Sequence, residues 1–89
     1  TVSFHETGRY LFPGTGAVLE LGTGAGLGYS VNVPLTAFTQ DDSWLAAVEA
    51  LVPALAERFR PDLIVSQFGC DGHAWDGQAH FRLTTAAYA

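Results

Sequence analysis

Two rhythms of apolar and polar positions run along this chain. Trp44, Leu45, Val48, Leu51, Val52, Leu55 and Phe59 recur at steps of three and four, with Glu49 and Glu57 off the stripe, the pattern of an amphipathic helix. Asp41, Asp42 and Ser43 precede it and suit an N-cap and an acidic first turn. Arg58, Arg60 and Pro61 close it, the cations standing at the negative end of the helix dipole. Pro53 falls inside the stripe, where a missing N–H predicts a kink.

Strand signals flank this helix. Thr1 to Phe4 is β-branched and aromatic, and Tyr29 to Leu35 returns to that character, with Pro34 expected to end it. After Pro61, Leu63-Ile64-Val65-Ser66-Gln67-Phe68 is a nearly continuous apolar run between Asp62 and Gly69, as expected for a strand covered on both faces of a parallel sheet. Between the first two strands, Gly8 to Gly28 holds seven glycines and Pro13, too much punctuation for a regular element and the mark of a long, ordered loop. The order strand, loop, strand, helix, strand predicts an α/β fold.

Composition narrows the functional classes. The chain has 89 residues, enough for one small domain or a piece of a larger one, with 4 Lys+Arg against 9 Asp+Glu and a net charge of −5. No basic run is present, which excludes a nucleic-acid or anionic-membrane footprint. No apolar stretch approaches the roughly 20 residues that span a bilayer. One cysteine, Cys70, cannot make an intramolecular disulfide, which points to a reducing, cytoplasmic setting. The chain has no Met and opens on a strand already under way, so a piece cut from a longer protein is expected.

Candidate chemistry gathers after the last strand. Cys70, Asp71, His73, Asp76 and His80 are all possible metal ligands within one short stretch, beyond the carboxyl end of a strand, where open α/β sheets bind ligands. Asp and Gly also make turns there, histidines also serve as hydrogen-bonding bystanders, and Cys70 also suits a small apolar position. Gly22 to Gly28 lacks the Lys-Ser/Thr ending of a phosphate loop and leads into a strand, so nucleotide binding is rejected. Phe12 beside Pro13 is placed to line an apolar slot.

Val2-Ser3-Phe4-His5, Phe12-Pro13-Gly14-Thr15-Gly16, Gly28-Tyr29-Ser30-Val31-Asn32-Val33-Pro34, Gln67-Phe68-Gly69-Cys70-Asp71 and Phe81-Arg82-Leu83-Thr84 together resemble the zinc-dependent histone deacetylase family, in particular its bacterial acetoin-utilisation type. The resemblance implies part of the arginase/deacetylase-type fold, a central parallel sheet flanked by helices, with residues 1–89 forming a partial domain. It implies zinc held by two aspartates and a histidine, of which only the last aspartate matches this chain, at Asp71; His73 is then a neighbour. The Asp-x-His ligand pair, the paired histidines and the oxyanion tyrosine are expected outside these residues, so no catalytic residue is expected within them and the 89 residues alone are expected to be inactive.

The resemblance also implies that Phe12 walls the acyl-lysine tunnel, that Ser3 and Phe4 help hold a structural potassium ion, and that the Tyr29 carbonyl meets a second monovalent cation. Where the family commonly has Ala, Gly and Pro-Leu, this chain has Cys70, Trp75 and Gly77-Gln78, which puts Gln78 at a tunnel position often apolar. The implied substrate is an acetylated lysine of a protein or a small acetyl-amine. An acetylpolyamine amidohydrolase, or a non-catalytic interaction module on the same scaffold, are the alternatives.

Overall fold

A computed structural model describes all 89 residues. Strand β1 (Val2–Glu6) and strand β2 (Val31–Leu35) form a parallel pair with Val2 opposite Val31 and Glu6 opposite Leu35. β1 runs two residues past the expected end at Phe4. Pro34 lies within β2, opposite His5, and does not end it. The bonds from Val31 N to Thr1 O and from Thr7 N to Leu35 O turn the N–H and C=O groups of Val31, Val33 and Leu35 toward β1, because a parallel strand bonds through alternate residues. Pro34 therefore withholds a donor only on the outer side, where proline is tolerated.

Helix α1 spans Asp41–Phe59 and runs without a break through Pro53, whose missing N–H would have reached the Glu49 carbonyl. Its N-cap is Gln40, so Asp41, Asp42 and Ser43 form the first turn and do not cap it. Asp41 is drawn off by a distant partner: its carboxylate accepts from Thr84 N at 2.8 Å and Thr84 Oγ1 at 2.5 Å. At the other end Arg60 adopts the left-handed conformation (φ 56°, ψ 59°) and returns its N–H to Ala56 O, closing the helix as the cluster of Arg58, Arg60 and Pro61 leads one to expect. Trp44, Leu45, Val48, Leu51 and Leu55 are half-buried along the stripe.

The run Leu63 to Phe68 departs from expectation. It has no ladder partner, and Leu63, Val65 and Phe68 are 78%, 87% and 73% exposed. Apolar composition is only half of a strand; the other half is a neighbour whose N–H and C=O groups the segment reaches, and this segment lies in neither ladder position beside β1 and β2.

The best-covered residues lie later, in a segment not expected to matter for packing. Ala79, Phe81 and Leu83 are 7%, 5% and 2% exposed, alternating with exposed Gln78, His80 and Arg82. Phe81 meets Trp44 edge-on at 5.6 Å, and Trp44 meets Phe4 at 5.8 Å, so one aromatic row joins β1, α1 and this strip. Backbone bonds from Phe38 N to His80 O and from Arg82 N to Thr39 O tie the strip to the chain just before α1. A short helix α2 (Thr85–Tyr88), capped by the Thr84 hydroxyl, follows. No helix is long and apolar enough to cross a membrane.

Six of the 89 residues are buried, too few to offset the conformational entropy of ordering such a chain. The isolated 89-residue polypeptide is expected to melt broadly when followed by circular dichroism; a sharp, cooperative transition from a monomer would contradict this. A second expectation concerns Asp41, whose carboxyl is held below the usual carboxylate range by the Thr84 hydroxyl and then by the Thr84 N–H. A folded-state value below the unfolded one stabilises at pH above the ordinary carboxylate pKa of about 4 and is lost as pH falls through the lowered value. In the full-length protein, Asp41→Asn is expected to lower the melting temperature at neutral pH, with the gap to wild type closing in acid below about pH 4.

Candidate metal and substrate site

Asp71 sits in a 3-10 turn, Cys70–Gly72, entered through extended Gly69 and left through His73, whose N–H returns to Cys70 O at 3.0 Å. A Cβ at position 69 would lie 2.5 Å from Asp71 Oδ1, so a larger residue there would displace the Asp71 carboxylate. Gly72 is buried, and a Cβ on it would meet the Tyr88 hydroxyl at 3.0 Å and Leu83 Cδ1 at 3.2 Å. The turn is pinned to the buried strip by bonds from Leu83 N to Gly72 O and from Ala74 N to Leu83 O. Tyr88 donates to Gly69 O at 3.3 Å, and its hydroxyl pKa is pushed up by burial first and by the Asp71 charge second.

Three of the other possible ligands, His73, Asp76 and His80, each use one side-chain atom in a hydrogen bond. The His73 ring takes the Trp75 N–H on Nδ1 at 3.3 Å and lies perpendicular to the Trp75 indole at 6.3 Å. Asp76 Oδ1 accepts from Gln78 N at 2.8 Å, a local turn bond. His80 faces Glu6, and Cys70 is an exposed free thiol. These residues nowhere assemble three ligands for a metal ion. Asp71 differs from its neighbours: it is half-buried, and the chain's own hydrogen bonds leave its carboxylate untouched, the condition of a hard oxygen donor free to take a cation.

β1 carries two of the remaining candidates, Ser3 and Phe4. The Ser3 hydroxyl lies 3.0 Å from His5 Nδ1, and His5 Nε2 lies 3.0 Å from Gly16 O, so His5 braces the glycine loop against the strand. With Ser3 and His5 bonded toward β2 by the parallel alternation, the Phe4 carbonyl faces the outer side of β1. Phe12, in that loop, is 93% exposed. Tyr29 precedes β2 and packs edge-on against Phe59 at 5.9 Å. Gln78 is exposed at a bend two residues before His80.

Two residues were invisible to sequence reasoning. Glu20 accepts from Gly16 N and Ala17 N, both at 3.0 Å; these two N–H groups hold its carboxyl below the usual range and give the loop its order. Glu6 is buried and binds His80 across 74 positions. No local signal marks either pairing. For the buried strip a signal did exist, the period-two alternation from Ala79 to Leu83.

The histone deacetylase domain family matches residues 1–89. The chain is 52% identical over 88 residues to the acetoin utilization protein AcuC of Bacillus subtilis (strain 168), covering 99% of this chain and 23% of that protein. It is 43% identical over 82 residues to AcuC of Staphylococcus xylosus, covering 92% and 21%. Among solved structures, a histone deacetylase homologue complexed with SAHA superposes with a TM-score of 0.92 at 33% identity, over 98% of this chain and 24% of that one. The HDA15 HD domain superposes at 0.89 and 32% identity, over 98% and 25%. The chain spans about a quarter of the length of the relatives it matches. With a match across its whole length, and with the α/β fold of its structural neighbours, this chain belongs to the histone deacetylase family.

Proposed function

We propose that the chain is part of a zinc-dependent amidohydrolase, cytoplasmic, that removes acetyl groups from acetyl-lysine of proteins, and that Asp71 is one of its zinc ligands. The observation that supports this most directly is the Asp71 carboxylate, half-buried on a pinned turn and unclaimed by the chain, in a member of the deacetylase family. Zinc, when bound, polarises the amide carbonyl and makes its bound water a better nucleophile.

This chain's own contributions are steric and electrostatic. Asp71 offers a hard oxygen, while the bonds of Gly72 and Ala74 to Leu83 fix the turn that aims it. Phe12 forms one wall of an apolar slot for the lysine stem, and Gln78 stands at another part of it. The Ser3 hydroxyl and the outward Phe4 carbonyl offer oxygens to a structural potassium ion, and the Tyr29 carbonyl to a second monovalent cation. A single ligand and no general base leave the 89 residues inactive by themselves, and the remaining ligands come from the longer protein. The SAHA complex of a solved homologue at 33% identity is in keeping with acetylated substrates.

Two outcomes test this in the full-length protein. Asp71→Ala is expected to lose zinc and turnover of a fluorogenic acetyl-lysine peptide, whereas His73→Ala, whose ring serves the Trp75 N–H, keeps its zinc and most of its turnover. Metal analysis of the two variants decides it, and zinc lost from the His73 variant but kept by the Asp71 variant would overturn the assignment. Phe12→Ala is expected to cost about 1 to 3 kcal/mol of contact and positioning in kcat/KM at unchanged zinc content; a fall in zinc stoichiometry would remove Phe12 from the tunnel. Parallel assays with an acetylated polyamine distinguish protein deacetylation from polyamine deacetylation.

A further inference from the structure

Glu6 is 4% exposed, with its side chain fully covered, yet both carboxylate oxygens are matched by one residue. Oε2 accepts the His80 backbone N–H at 2.7 Å, and Oε1 lies 2.8 Å from His80 Nδ1. A carboxylate only accepts, so Nδ1 is the donor, and the imidazole presents Nε2 outward from a half-exposed side chain. A covered carboxylate without such partners would be strongly unfavourable, so this strand end is committed to residue 80.

The residues around His80 are also held by the bond from Phe38 N to His80 O at 2.9 Å and by the buried Ala79, so the Gly77–Gln78 bend is the part left to be placed. Asp76 Oδ1 accepts from Gln78 N on one side, and a Cβ added at Gly77 would meet nothing within 4 Å, so Gly77 itself stands in open space. Asp71 is held differently, through the Leu83 bonds to Gly72 and Ala74. We propose that Glu6 is a positioning residue: its two-pronged hold on His80 sets the place of the Gly77–Gln78 bend, and with it the shape of the substrate slot, independently of the metal ligand. This rests on Gln78 belonging to that slot.

The test uses the full-length protein, reading kcat, KM, zinc content and amide hydrogen exchange. Glu6→Ala is expected to raise KM for an acetyl-lysine peptide about tenfold, with kcat within about twofold, zinc unchanged and faster exchange at Gln78 and His80. Glu6→Gln rescues, because its amide oxygen accepts the His80 N–H while its NH2 donates to Nδ1 of the other imidazole tautomer. His80→Ala keeps the backbone bond and raises KM about threefold; it carries the test if Glu6→Ala does not fold. Loss of zinc, parallel loss in kcat, or exchange rates equal to wild type would overturn the proposal. If wild type turns over no acetyl-lysine peptide while the exchange results hold, Glu6 still positions the bend and it is the deacetylase reading that fails.

Discussion

The packing of Phe81 against Trp44 is the contact on which the rest of this structure depends. Phe4, Trp44 and Phe81 come from the first strand, the helix and the final strip, and their row of tilted rings joins three parts of the chain that are also tied by Glu6 to His80 and by Asp41 to Thr84. Each aromatic pair adds about 0.5 to 1.5 kcal/mol beyond the area it covers. The strip thus held then hands its order on through backbone bonds, to Thr39 and Phe38 before the helix, and to Gly72 and Ala74 around the Asp71 turn. The candidate metal ligand is placed by apolar packing at one remove.

How far this could be read from the residues depended on the range of each interaction. The stripe from Trp44 to Phe59 is a local, repeated signal, and α1 ends where Arg60 turns left-handed just before Pro61. Its acidic first turn at Asp41 and Asp42 stands where the residues predict it, but neither caps the helix, and the Asp41 carboxylate binds Thr84, 43 positions away. Leu63 to Phe68 shows the opposite failure: its composition fits a strand, but strand formation requires a partner that composition does not reveal. The alternation from Ala79 to Leu83 was present and masked by the polar residues before it. The Glu6 and Glu20 pairings joined residues whose proximity only the folded chain creates.

Of the candidate site, the Asp71 turn was legible through the motif that surrounds it, while the fate of its neighbours was not. His73, Asp76 and His80 are as suitable for metal as Asp71 by residue type, and they are distinguished only by what each already touches.

Pro34 gives the two-stranded sheet unequal sides. β1 presents Val2, Phe4 and Glu6 outward with every donor intact, while the outer side of β2 is interrupted at mid-strand. A newly arriving strand can zip continuously along β1 but would leave an acceptor unanswered along β2. The sheet therefore has a direction of growth, and the same proline that the ladder tolerates acts as a guard against indiscriminate edge-to-edge association.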